Sequence, residues 1–231
     1  MISTERFYID GISSDTLDIY VDTLSVPSMS RQRFTSYQNG GDEDGTSSDD
    51  TYQDINYTIT AYVFKGSYDD SAIHKFIVGA KTLQISRLEG FYFKVRQAYI
   101  DTDTEYDGNR IRYTFSFVLA PFRYINDNSL IEVSDGGMVA NEGTRYSKPN
   151  YFLTAINSGD VWLMVNGQQL KIEGCTAGEV ISVYSEKYVA VSNNKTINQR
   201  TFGIFPFFGV GNNEIHLDNC TCKVQVNARC Y

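Results

Sequence analysis

The feature that most restricts what this chain can fold into is apolar alternation at every second residue. Ile55, Tyr57, Ile59, Ala61 and Val63 share one side of an extended backbone, and Asn56, Thr58, Thr60 and Tyr62 the other. Leu17, Ile19 and Val21 repeat the pattern against Asp18, Tyr20 and Asp22. Successive side chains of a strand point to opposite faces, so both runs predict half-buried antiparallel strands. Phe91 to Ile100 and Ile111 to Leu119 predict a long hairpin around a turn containing Asp107-Gly108-Asn109. Pro121 cannot donate to a ladder and is expected to end the second of these strands. Composition points the same way: 17 Tyr and 14 Phe stand beside one Trp, and aromatic and β-branched residues suit pleated surfaces.

One helix is expected, over about residues 69–82. Asp69, Asp70 and Ser71 supply N-cap candidates, and Ile73, Phe76, Ile77 and Ala80 form an apolar stripe at i, i+3, i+4 and i+7. The polar run from Asn39 to Asp50 reads as an exposed loop. Between Asn126 and Pro149 the periodicity breaks into turn material, Asp135-Gly136-Gly137 and Asn141-Glu142-Gly143, so a domain boundary is expected within 125–145. The resulting division is 1–135 and 136–231. The second part predicts five or six short strands and a sandwich. Its sharpest signal is Val161, Leu163 and Val165, then Asn166-Gly167, then Leu170 and Ile172, because Asn-Gly suits a turn that needs positive φ twice. Ile181–Tyr184, Tyr188–Val191 and Cys222–Val226 complete the expected strands.

With 231 residues and 42% hydrophobic content, the chain has material for one large β domain or two ordinary ones. Its formal charge of −8 repels phosphate, which argues against adhesive nucleic-acid binding; it is equally compatible with lining a pore through which DNA slides and with ordinary solubility. No apolar run approaches the roughly 20 residues that span a bilayer, so no membrane partner is expected. The start, Met1 to Arg6, lacks the basic and apolar regions of a signal peptide, and synthesis in the cytoplasm is expected. Cys220, Cys222 and Cys230 crowd near the end and Cys175 stands apart, unlike a disulfide framework; buried free thiols are expected.

Signals for catalysis or cofactor chemistry are thin. His74 and His216 fall in different expected domains, and no nucleophile motif accompanies either. Nothing singles out a pair among the 28 acids for glycoside hydrolysis. Asp103, Glu105 and Asp107 before Gly108 resemble the first half of a calcium loop, but Arg110 and Thr114 occupy positions that such a loop gives to an apolar residue and a glutamate. The Asp42–Asp50 acids are weaker still, and Cys220-Thr221-Cys222 lacks the four-ligand spacing of zinc sites. Trp162, Tyr184 and Tyr188 could stack sugars if exposed together, or could pack in the core. No catalytic residue, cofactor or metal is assigned.

The stretch from Gly203 to Ile215, GIFPFFGVGNNEI, resembles the G-x-F-P-x-L-x-x-G-x-N-x-I signature of the distal tail proteins (Dit) of siphophages. Gly203, Phe205, Pro206, Gly211, Asn213 and Ile215 match it, with Phe208 in place of an aliphatic residue. Phe7 to Ser14 is similar to the family's opening F-x-I-N-G-x-x-S, with Asp10 for Asn, and Asn39–Gly45 takes the place of its Gly-Asp-Gly loop. The resemblance implies an all-β dominated chain of two β-sandwich domains. Residues 1–135 would be a ring-forming, tail-tube-like domain with the flanking helix, and 136–231 a galectin-like one. It implies a non-enzymatic virion tail component, without cofactor, in a hexameric ring joining the tail-tube protein to the tail-tip or hub protein. DNA would pass through without specific binding, and the second domain would dock receptor-binding proteins. The hairpin bearing Tyr99, Asp107, Gly108 and Tyr113 is the candidate subunit-contact arm. A carbohydrate-binding module is the alternative.

Overall fold

The alternation at 55–63 becomes one side of an unbroken ladder. The strand Ile55–Phe64 pairs antiparallel with the strand Arg110–Ile125 from Arg110 opposite Phe64 to Leu119 opposite Ile55. This register sets Ile59 against Phe115, Ala61 against Tyr113 and Val63 against Ile111, all of them buried. Taking one such side chain out of water stabilises by roughly 1.5–3 kcal/mol, and cross-strand pairing adds a few tenths more. The computed structural model describes residues 5–38, 44–67, 69–101, 105–127 and 129–231. Two compact units emerge from its packing: Met1–Arg123 with Tyr231, and Tyr124–Cys230.

The first unit is built on one antiparallel sheet with the strand order Ile12–Ser13, Phe7–Ile9, Thr82–Ile85, Phe91–Ile100, Arg110–Ile125, Ile55–Phe64 and Tyr20–Thr23. The helix Asp70–Ile77 adds Ile73 and Ile77 to the core, with Phe76 and Ala80 packed at its margin. Asp69 caps it by accepting from the Ala72 N–H at 3.1 Å. The helix stops short of the expected residue 82. Val78 leaves the helical region and Gly79 takes φ +93°, so Ala80 joins the core from a turn. Asp10 and Gly11 make the first hairpin turn at φ 50° and 84°. The Asp10 carboxylate accepts from the Thr82 N–H at 2.8 Å and the Lys81 N–H at 3.1 Å, which ties the turn to the next strand.

Three expectations for this unit are corrected. Residues 44–50 are not loop: Asp44–Tyr52 pairs with Gln32–Gln38 in a two-stranded sheet of its own, and residues 39–43 of the expected loop lie outside the described residues. Backbone groups alone can hold such a ladder, so apolar alternation was not its signal. Leu17 is not in a strand; Ser14–Leu17 is a 3-10 turn that Asp18 ends at φ 53°, and the strand begins at Tyr20. Finally, the strand containing Pro121 continues to Ile125. Its pairing with Ile55–Phe64 ends at Leu119, so the missing N–H at residue 121 breaks no bond of that ladder.

The second unit stacks two antiparallel sheets. One has the order Ile131–Val133, Cys220–Gln225, Asn150–Ala155, Val180–Tyr184, Val189–Ser192 and Lys195–Thr196. The other runs Gly137–Asn141, Gly211–Asp218, Gly159–Val165, Gln168–Cys175 and Thr201–Gly203. Buried Tyr151, Leu153, Ile181, Val183 and Val224 from the first meet Val161, Leu163, Val165, Leu170 and Ile215 from the second. Asn166 and Gly167 sit at φ 47° and 82°, the turn the Asn-Gly pair announces. The strands outnumber the five or six expected, because Ile131–Val133, Lys195–Thr196 and Thr201–Gly203 are too short to show a period. The division at 123/124, rather than 135/136, follows from the same cause. Ile131–Val133 and Gly137–Asn141 are ladder members of the second unit despite their turn-like surroundings.

Candidate functional site

The Gly203–Ile215 motif connects one edge strand of the five-stranded sheet, Thr201–Gly203, to Gly211–Asp218, the strand next to its other edge, and its residues divide into those that anchor it and those that face outward. Gly203 sits at φ +99°, and a Cβ there would collide with the Gln169 carbonyl, so only glycine fits. The Ile204 N–H donates to the same carbonyl at 2.9 Å. The Gln168 side chain then grips the backbone of one residue on both sides: its Oε1 accepts from the Phe207 N–H and its Nε2 donates to the Phe207 carbonyl, each at 3.1 Å. Pro206 and Phe208 are buried, and Phe208 makes a two-bond bridge with Ser147. Its ring meets Tyr151 edge-on with centroids 6.0 Å apart.

Asn213 is the hub. Fully buried, it accepts from the Gly209 N–H at 2.7 Å and from Asn166 Nδ2 at 2.7 Å through Oδ1. Its Nδ2 lies within donating distance of the Gly211, Gly209 and Val139 carbonyls at 2.7, 3.2 and 3.4 Å. Asn141, also buried, donates to the Arg145 and Gly209 carbonyls at 2.8 and 3.0 Å. Asn166 in turn accepts from the Glu214 N–H at 3.0 Å. Sequence reasoning singled out Asn213 as a motif member and Asn166 and Asn141 as turn residues; it missed that Asn141 supports the motif, and it missed Ser147 and Gln168, which carry no local signature. Ile215 is buried in the core, Phe205 is partly buried against it, and Gly211 turns the chain at φ +84°. Phe202, Ile204, Phe207 and Val210 project into solvent from this frame.

The candidate contact hairpin is only partly a surface. The segment Glu105–Asp107 folds back on Arg110–Arg112, and Lys65 Nζ donates to the Gly108 carbonyl at 2.9 Å. Tyr99 is 48% exposed, whereas Tyr113 is 1% exposed: its ring stacks on Phe115 and its hydroxyl donates to Asp70 at 3.0 Å. Tyr113 falls on the core side of the Arg110–Ile125 alternation and is packed within its own unit. Asp103 and Thr104 of the calcium-like run lie outside the described residues.

The two histidines are in separate units. His74 faces Asp70 at 3.7 Å, an acid that also accepts from the buried Tyr113 hydroxyl, and His216 lies between Asp135 and Glu214 at 3.3 Å from each, about half exposed. All four cysteines are free and buried. Burial pushes the Cys220 and Cys222 thiols up to about 12 and raises Cys175 as well, so at neutral pH these three are protonated and poor nucleophiles or metal ligands. Among the described residues no group of three or more His, Cys, Asp or Glu could hold a metal ion. Trp162 lies in the five-stranded sheet while Tyr184 ends a strand of the other, so the expected sugar-stacking residues do not share a face.

No protein-family model matches this sequence, and no curated protein matches it. Solved structures do. The SPP1 Dit protein, described as a paradigm of the hub adsorption apparatus in phages infecting Gram-positive bacteria, superposes with a TM-score of 0.72 at 14% identity, covering 96% of this chain and 98% of that one. A chain of the phage P2 baseplate in its activated conformation with Ca aligns at TM-score 0.57 and 6% identity over 98% and 99% of the two chains. The same baseplate with Sr gives 0.56 and 8% over 96% and 98%. At such identities the likeness is one of fold, and it runs end to end through both units: this chain has the fold of a phage distal tail protein.

Proposed function

We propose that this chain is a non-enzymatic structural subunit of a phage tail, acting as a distal tail protein. The observation that carries the reading is coverage: the fold match takes in 96% of this chain and 98% of a hub protein, through both units. In this reading six copies form a ring through the first unit, connecting the tail-tube protein to the tail-tip or hub protein. The second unit, galectin-like in the resemblance, serves as a docking platform for receptor-binding proteins. The protein is made in the host cytoplasm and ends in the virion tail.

Two properties support the ring. The two-stranded sheet Gln32–Gln38 with Asp44–Tyr52 pairs with no other strand among the described residues. Its base is tied down by Tyr52 against Phe122 and Tyr231; a two-stranded ribbon is marginal by itself in water, and in this reading a neighbouring copy adds a strand to its open edge. The net charge of −8 lets DNA cross a channel without the phosphate contacts that would retain it. The carbohydrate-binding alternative loses its main support with the separation of Trp162 from Tyr184. A gold-labelled antibody against the chain tests the proposal: label at the distal end of tails is expected, and particles unlabelled or labelled along the tube would contradict it.

A further inference from the structure

We propose that the outward face of the five-stranded sheet in the second unit seats a protein partner whose contact surface is apolar at its centre and rimmed by Lys and Arg. The proposal rests on the docking role above and says which surface performs it and what chemistry it selects.

In a two-layer sandwich the outward positions of each strand are normally polar. Here they are not. Pairing aligns Asp218, Trp162, Lys171 and Phe202 in one row across four strands, and His216, Met164 and Gln169 in the next. The second row continues to Ile204 through the bond to Gln169. Phe202 is 49% exposed, Ile204 58%, and Met138 on the adjoining strand 65%. Trp162 and Met164 lie between them, partly exposed, so one sheet face carries five large apolar side chains. Aromatic residues and Met are the residue types enriched at the centres of protein interfaces.

The face is also held in place before any partner arrives. Lys171 Nζ is gripped by Glu173 at 2.8 Å and Asp160 at 2.9 Å and lies 5.3 Å over the Trp162 ring. Fixed side chains lose less entropy on association. The charges pick the partner. Asp160, Glu173, Glu214 and Asp218 point outward, and Lys171 is the cation set among them on these strands. A second copy would bring acids against acids, which costs binding, whereas a Lys- and Arg-rimmed protein complements them. The ammonium over the indole occupies the ring face a sugar would need for stacking.

The test uses particles that carry the protein. In unmodified tails, Met138 and Met164 should resist oxidation relative to the purified chain. A Phe202→Cys variant should be alkylated in tails about tenfold more slowly than when free, equivalent to about 1.4 kcal/mol of protection. Val180→Cys, exposed on the other sheet, should label alike in both. The buried native thiols keep the background low. Glu214→Gln with Asp218→Asn should restore much of the labelling of residue 202. Equal labelling of residue 202 in tails and free chain, with the methionines unprotected, overturns the proposal. If residue 180 alone is protected, docking occurs through another surface and only this assignment fails. If the chain is absent from tails, the functional reading fails with it. Saturable quenching of Trp162 emission by soluble glycans would overturn it in favour of sugar binding.

Discussion

Replacing Asn213 by Ala strikes the part of the motif that nothing else can substitute. The side chain is fully buried and serves the Gly209 N–H, Asn166 Nδ2 and the Gly211 and Gly209 carbonyls at distances between 2.7 and 3.2 Å. Each bond contributes roughly 0.5–1.5 kcal/mol net, and each buried partner left without one costs about 1–3 kcal/mol, with some relief from relaxation. Allowing for that relief and for non-additivity, the loss should be about 3–4 kcal/mol. Trp162 is the single tryptophan and lies in the second unit, so its emission during urea unfolding reads that unit alone. The unfolding midpoint should fall with little change in slope, and the second unit should melt roughly 12–20 °C lower. Asn213→Asp should be at least as damaging, because a carboxylate would face the Gly211, Gly209 and Val139 carbonyls. A loss under about 1 kcal/mol for the Ala variant would refute the hub role of Asn213.

Four further outcomes follow. Gly203→Ala, which combines φ +99° with a collision at the Gln169 carbonyl, should destabilise by about 2 kcal/mol or more, against about 1 kcal/mol for Gly11→Ala at φ +84° in open space, as read by urea titration. Phe115→Ala should cost the first unit about 3–5 kcal/mol while leaving the Trp162 transition unmoved, a test of whether the two units unfold separately. Burial pushes the Glu179 carboxyl up, but Ser192, the paired Arg200 and the Thr176 N–H outweigh it and hold it below 4.5. Its stabilisation is therefore complete above about pH 4.5 and lost as pH falls through the lower folded value, so Glu179→Gln should flatten the acid limb of the second unit's stability curve. Native protein should react with a maleimide at none of its four cysteines at pH 7 and at all four in denaturant, as counted by mass spectrometry.

The first unit's central ladder and the Asn-Gly hairpin were legible because one buried face imposes a period of two and a positive-φ turn demands particular residues. Ile55–Val63 and Val161–Ile172 satisfy both conditions over enough residues to be read. Where neither condition applied, reading failed. Asp44–Tyr52 is a polar strand in a ladder held by backbone groups, Pro121 lies beyond its neighbour's pairing, and the two- and three-residue strands are shorter than a pattern. Tyr113 shows another limit: the resemblance put its hairpin forward as a contact arm, while its parity along the strand places its side chain in the core. The motif was visible through its glycines and Asn213, each needed by a backbone constraint. Its supports Asn141, Ser147 and Gln168 come from strands and turns distant in sequence, and only the fold brings them together. The outward apolar rows of the five-stranded sheet were hidden for a related reason. Trp162, Lys171 and Phe202 are neighbours through register, not spacing.

The central claim, a ring-forming tail subunit, is tested most directly by native mass measurement and negative-stain imaging of the purified chain, alone and with detached tails. The expected result is a species of six times the 26.1 kDa chain mass, seen as a ring around an open channel, or such a ring built onto tail ends when tails are added. A strict monomer under both conditions, binding glycan saturably and adding no density to tails, would contradict it.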